Sequence, residues 1–80
     1  MKVRCLCCGY RTLDERGAYQ ICPVCFWEDD LEQEKNPNDD GGANAVSLIE
    51  ARNNYMKFGA CQKEMIKYCR LPKEEEKKKL

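Results

Sequence analysis

The chain has 80 residues, 14 basic and 14 acidic, with no histidine. That length suits one small domain, the missing histidine excludes imidazole catalysis and histidine-ligated metal, and no apolar run is long enough to cross a bilayer. The hydrophobic share of 42% counts seven cysteines, so the apolar supply for a core is thin and the fold is expected to need a staple.

The zero net charge is an average over unlike parts. Residues 1–25 balance at +2, residues 26–50 at −7 and residues 51–80 at +5. An acidic middle beside a basic end disfavours nucleic acid as the partner. The opening run MKVRCLCCGY lacks the apolar stretch of a secretion signal. A cytoplasmic setting is therefore expected, where thiols stay reduced.

In chain order, Lys2-Val3-Arg4 reads as a short strand leading into Cys5-Leu6-Cys7-Cys8-Gly9. Residues 11–13 and 18–21 are expected to pair across the turn Asp14-Glu15-Arg16-Gly17, giving a hairpin with a cysteine pair at each base. Residues 28–46 read as an acidic loop, with a helical turn around residues 31–35 and turn formers from Asn36 to Gly42. Ser47 is a good N-cap, and Glu50 stands three residues on, the spacing of a capping box. Leu48, Ala51, Tyr55 and Phe58 then share one helical face, and Gly59 can end the helix. A second helix is expected over about residues 60–70, with Cys61, Met65 and Tyr68 on one side and Leu71-Pro72 as its stop. Residues 1–72 form the domain in this reading, and residues 73–80, KEEEKKKL, a charged and disordered tail.

The chemistry lies in the cysteines. Cys5-x-x-Cys8-Gly9 and Cys22-Pro23-Val24-Cys25 are separated by 13 residues. Two residues between paired cysteines let both thiolates reach one ion at about 2.3 Å, as zinc requires. Cys5, Cys8, Cys22 and Cys25 together would make a closed tetrahedral site. Such a site leaves no open position for water or substrate, so its zinc would be structural, and the chain is not expected to be an enzyme. Cys7 lies between the proposed ligands and is read as a spare thiol or a substitute ligand. Cys61 and Cys69 are read as packing residues.

Three stretches carry a resemblance. CLCCGYRTLDERGAYQICPVCFWEDD, GGANAVSLIEAR and Phe58-Gly59-Ala60-Cys61 resemble the bacterial cysteine-rich CPCC family, over roughly residues 4–72. Leu6 stands where that pattern has proline. The resemblance implies a small zinc-ribbon-like domain and no established biochemical activity. Each cysteine pair is also similar to a rubredoxin knuckle, although Phe26 replaces the glycine usual after the second pair.

The expected architecture is thus a small metal-stapled α+β domain, a zinc-ribbon-like hairpin with two CxxC knuckles, then an acidic loop and two C-terminal helices. Trp27-Glu28-Asp29-Asp30 has two readings, an apolar cap on the metal site with solvated acids or a recognition surface with an aromatic anchor. Asp39-Asp40-Gly41-Gly42 lacks the ligand spacing of a calcium loop and reads as a turn. The favoured function is a structural-zinc module that binds another protein, with no membrane role. The alternatives are a rubredoxin-like iron protein that carries electrons and a nucleic-acid-binding zinc ribbon.

Overall fold

A computed structural model describes residues 2–77. It contains strands β1 (Val3–Arg4) and β2 (Arg11–Leu13), helices α1 (Leu31–Lys35) and α2 (Leu48–Phe58), and two 3₁₀ helices, Lys63–Tyr68 and Glu74–Glu76. Strand β1 pairs antiparallel with β2, placing Val3 opposite Leu13 and Arg4 opposite Arg11. Cys5 and Cys8 therefore sit in the loop of this hairpin.

The expected hairpin between residues 11–13 and 18–21 does not form. Ile21 instead pairs with Glu28 across the second cysteine pair. The reason is local. Each knuckle closes its own short ladder, so each cysteine pair becomes the loop of a hairpin and not its base. The turn between them is held by side chains, with the Asp14 and Glu15 amides donating to Gln20 Oε1 at 2.8 and 3.4 Å.

The two knuckles repeat one backbone pattern. The Cys5 N–H donates to the Tyr10 carbonyl and the Gly9 N–H to the Cys5 carbonyl, each at 2.8 Å. The Cys22 N–H donates to the Trp27 carbonyl at 2.9 Å and the Phe26 N–H to the Cys22 carbonyl at 2.8 Å. Gly9 and Phe26 hold matching places in these turns, with φ of 85° and 72°. Glycine takes that angle freely, whereas phenylalanine pays for its Cβ. Phe26 has a compensating contact, its ring stacked on Tyr68 with centroids 5.2 Å apart. A Cβ added at Gly9 meets nothing within 4 Å. Gly9→Ala should therefore cost only the backbone term, about 1–2 kcal/mol, read as a lowered midpoint in chemical denaturation with an unchanged slope.

Helix α2 forms as its sequence signals. Ser47 caps it by accepting from the Glu50 N–H, and Gly59 ends it at φ 83°. Leu48 and Ala51 turn into the core, with Tyr55 packed partly against it. The helix is tied to both knuckles. Arg52 Nε donates to the Leu6 carbonyl at 2.8 Å, and Asn54 Nδ2 donates to the Cys61 carbonyl at 2.9 Å. The Cys61 N–H in turn donates to the Cys25 carbonyl at 2.8 Å. The core is Leu13, Val24, Trp27, Leu48 and Ala51 with five buried cysteines, as the thin apolar supply implies.

The second C-terminal helix is 3₁₀ rather than α, over Lys63–Tyr68, and buries none of its residues. A ladder without a buried face has little to stabilise it beyond local bonds. Residues 73–77, placed in the tail by the sequence reading, are described and contain the 3₁₀ helix Glu74–Glu76. Arg70 grips Glu76 with two bonds of 2.9 and 2.8 Å and holds its carboxyl down to about 2. Residues 78–80 of that tail lie outside the described residues. No helix among the described residues is long and apolar enough to cross a membrane.

Residues 28–46 are not an open loop. A buried polar hub organises them around Gln33, which is fully buried. Its Nε2 donates to the carbonyls of Asp39, Val46 and Asn44 at 2.9, 3.0 and 3.3 Å. Its Oε1 accepts from Asn44 N and Asn44 Nδ2, both at 2.9 Å. Asn44 extends the hub by bonding the Glu28 N–H and carbonyl, each at 2.8 Å. Asp30 caps α1 through the Glu32 and Gln33 amides and also accepts from Ala43 N at 2.9 Å. Those backbone donors, Ala43 foremost, hold its carboxyl below the usual range despite burial.

Candidate metal centre

The two knuckles face each other and bring four sulfurs together. Cys5, Cys8, Cys22 and Cys25 place their Sγ atoms within 4.8 Å of one another. Across the knuckles, Cys5 and Cys25 Sγ lie 3.6 Å apart and Cys8 and Cys22 Sγ 3.7 Å apart. A tetrahedron with metal–sulfur bonds of 2.3 Å has sulfur–sulfur edges of about 3.8 Å, so these two cross-knuckle pairs have the spacing of tetrathiolate edges. A disulfide needs sulfurs at about 2.05 Å, and all seven cysteines are free.

Burial and charge favour a cation here. Cys5, Cys22 and Cys25 are fully buried, and Cys8 is half-buried. Hydrogen bonds from Cys25, Cys5 and Cys8, with one from Thr12, pull the Cys22 thiol far below its ordinary range. That same Cys22 sulfur, the largest influence on each of the other three, drives Cys5, Cys8 and Cys25 far upward. Four sulfurs held this close oppose one another's ionisation, and a cation bound among them would offset that cost.

Thr12, on β2, approaches the centre from outside, its Oγ1 3.0 Å from Cys22 Sγ. Thr12 is buried, and its hydroxyl is placed to donate to a Cys22 thiolate. Nothing in the CxxC spacing identifies it. Only the pairing of β2 beside β1 turns it toward the second knuckle. Outer-shell donors of this kind are worth roughly 10–100-fold in metal affinity. Thr12→Val, which keeps the shape, is expected to weaken metal binding at the four sulfurs about tenfold, measured by competition against a chromophoric chelator.

The remaining cysteines divide as follows. Cys7 is buried and lies against Cys25, but it is outside the four-sulfur group. Cys61 is buried in the core, and burial pushes its thiol up to about 12. Cys69 is half-buried, its Sγ donating to the Met65 carbonyl at 3.2 Å, and burial raises its thiol as well. Cys61 belongs to the buried core, as a packing residue should.

The recognition surface expected at Trp27-Glu28-Asp29-Asp30 is corrected by the fold. Trp27 and Asp29 are fully buried, Asp30 is 4% exposed, and only Glu28 is half-buried. The cause is the second knuckle, which turns this stretch inward to be satisfied by polar partners. Trp27 Nε1 donates to Glu34 Oε2 at 3.0 Å, while Asp29 accepts from Arg16 Nη1 and the Gly17 N–H, both at 2.5 Å. Asp39-Asp40-Gly41-Gly42 is a turn, with Asp39 Oδ1 accepting from the Gly41 N–H at 2.8 Å.

Fold and site together define a small α+β domain in which two cysteine knuckles face across a cluster able to hold a metal ion. The chain belongs to the cysteine-rich CPCC family, whose sequence pattern matches residues 3–76. A comparison with curated proteins returned no match.

Proposed function

We propose that Cys5, Cys8, Cys22 and Cys25 bind one structural zinc ion, and that the chain is a zinc-ribbon-like module that presents its surface to another protein. The observation that carries the metal assignment is the cross-knuckle sulfur spacing of 3.6 and 3.7 Å, the edge length of a filled tetrathiolate. All four positions around the ion would be taken by sulfur, which supports a structural and not a chemical role. Zinc suits such a closed all-thiolate site, and its binding would stabilise a domain poor in apolar residues.

Support for a protein partner comes from exposed apolar side chains. Tyr19 and Tyr68 are each 56% exposed, Ile21 46% and Ile66 44%. Ile21 also lines a groove of about 220 Å³ with Phe26, Ala43, Ala45 and Met65. The balance of −7 over residues 26–50 counts against phosphate backbones.

Elemental analysis of protein purified without added metal tests the reading. One zinc per chain and a colourless solution are expected. A red protein carrying iron would overturn the zinc assignment, and a metal-free chain with an unchanged thermal midpoint would overturn the structural role.

A further inference from the structure

Outside the sulfur cluster, the fold buries a second group of ionisable side chains that the metal does not use. Asp29 and Glu34 side chains are 0% and 4% exposed. Beyond the effect of burial, Asp29 lies close enough to Glu34 to push its carboxyl up. Their one cation among the described residues is Arg16, with Nη1 2.5 Å from Asp29 Oδ1 and 3.6 Å from Glu34 Oε1. Trp27 Nε1 donates to Glu34 Oε2, and Glu34 Oε1 has no hydrogen-bond partner among the described residues. Asp29 and Arg16 are the charged groups that bear on Glu34, the first from the exit of the second knuckle and the second from the 14–17 turn.

This arrangement is short of one positive charge. If both carboxyls were ionised, the buried group would carry a net negative charge against a single guanidinium. A proton on Glu34 removes that excess and gives it a donor to offer Asp29. The 14–17 turn rests on the same group. Arg16 also donates to the Arg4 carbonyl, the Gly17 N–H donates to Asp29 Oδ2 at 2.5 Å, and a Cβ at Gly17 would lie 2.7 Å from Leu31 Cδ1. The turn is thus pressed onto the start of α1 through Asp29, Arg16 and Leu31.

We propose that Glu34 is the proton-operated clasp of the fold: protonated, it lets Asp29 and Arg16 hold the 14–17 turn against α1, and on losing its proton it releases that turn. Burial first, then the adjacent Asp29, pushes the Glu34 carboxyl up to about 7, which puts the change near neutral pH. Because the folded value lies above the ordinary 4.5, the fold binds the proton more tightly than the unfolded chain does. Stability contributed by the clasp is full below pH 4.5 and declines as pH rises through about 7.

The test is side-chain carboxyl NMR on the zinc-loaded protein between pH 5.5 and 8.5, with bound zinc measured at each point so that metal loss is seen separately. The Glu34 Cδ resonance is expected to titrate near pH 7, and the Trp27 Nε1–H and Gly17 N–H resonances to move with the same midpoint. Glu34→Gln, which mimics the protonated carboxyl, should leave the Trp27 and Gly17 signals flat. At pH 8 it should slow Gly17 amide exchange at least tenfold relative to the unmodified chain. Asp29→Asn should return Glu34 to the ordinary carboxylate range. A Glu34 midpoint at or below pH 5 in the unmodified protein would overturn the proposal, whether or not either variant folds. So would Trp27 and Gly17 signals that still titrate near neutrality in Glu34→Gln, or Gly17 exchange that is equal in both proteins at pH 8.

Discussion

Replacing Cys25 by serine is expected to abolish metal retention and cooperative folding together. Cys25 is fully buried, and its sulfur lies 3.6 Å from that of Cys5. Serine at this place offers a hydroxyl that does not ionise near neutral pH and a shorter reach, so three sulfurs remain for a site that needs four. The energetic argument is one of proportion. Structural zinc contributes on the order of 10 kcal/mol in small domains, whereas a whole domain is stable by about 5–15 kcal/mol. The core that would have to compensate is largely cysteine: five of its ten buried members are cysteines, three of them from the sulfur cluster itself. The expected result is less than a tenth of the zinc found in the parent protein, and an amide NMR spectrum collapsed into the random-coil range. A strong chelator added to the parent should give the same spectrum, reversed by returning zinc. Cys69→Ser is the contrast, since Cys69 is half-buried and bonds only the Met65 carbonyl. It should keep both zinc and fold. A Cys25→Ser protein with dispersed amides and full zinc would show that the four sulfurs are not the staple.

Gln33→Leu should be the most damaging substitution away from the sulfurs. Leucine nearly matches glutamine in volume, so the experiment removes hydrogen bonds and leaves packing almost intact. Gln33 satisfies three carbonyls with its amide group and accepts two donors from Asn44. All of that surrounds a fully buried side chain. Leucine would strand several of these groups away from water, at about 1–3 kcal/mol for each that finds no new partner. Relaxation of the 39–46 segment will recover some bonds, so a net loss of about 3–5 kcal/mol is expected. Equilibrium denaturation of the zinc-loaded protein reads it. A companion change, Gly42→Ala, probes the same hub by volume, because its Cβ would stand 2.5 Å from both Asp30 Oδ2 and Gln33 Cγ. It should cost more than Gly9→Ala, where no clash adds to the backbone term. Equal losses at the two glycines would argue that the hub is loosely packed.

Several features were legible in the residue order because their causes are local. The two CxxC pairs, the Ser47 cap, the Gly59 stop and the apolar spacing of α2 each depend on residues within one or two turns of chain. For α1 the sequence offered only a helical turn around residues 31–35, and the Asp30 cap on the Glu32 and Gln33 amides emerged from the structure. The expected pairing of residues 11–13 with 18–21 failed for a physical reason. A turn-forming run such as Asp14–Gly17 announces a reversal, yet β2 pairs with β1 across a longer loop, because the knuckle satisfies its own amides there, the Cys5 N–H on the Tyr10 carbonyl and the Gly9 N–H on the Cys5 carbonyl. The Trp27–Asp30 stretch failed in the same way. Its acids look solvated in a list of residues, but Arg16, Gly17 and Ala43 arrive from distant positions to bury them.

By itself, then, the residue order determined which four cysteines could meet and where the long helix starts and stops, because spacing and capping act over a few bonds. Tertiary structure alone decided that Thr12 would face Cys22, that Gln33 and Asn44 would carry a polar core, and that Asp29 and Glu34 would share one arginine. Those outcomes depend on groups brought together from far along the chain and removed from water, and desolvation has no signature in local sequence.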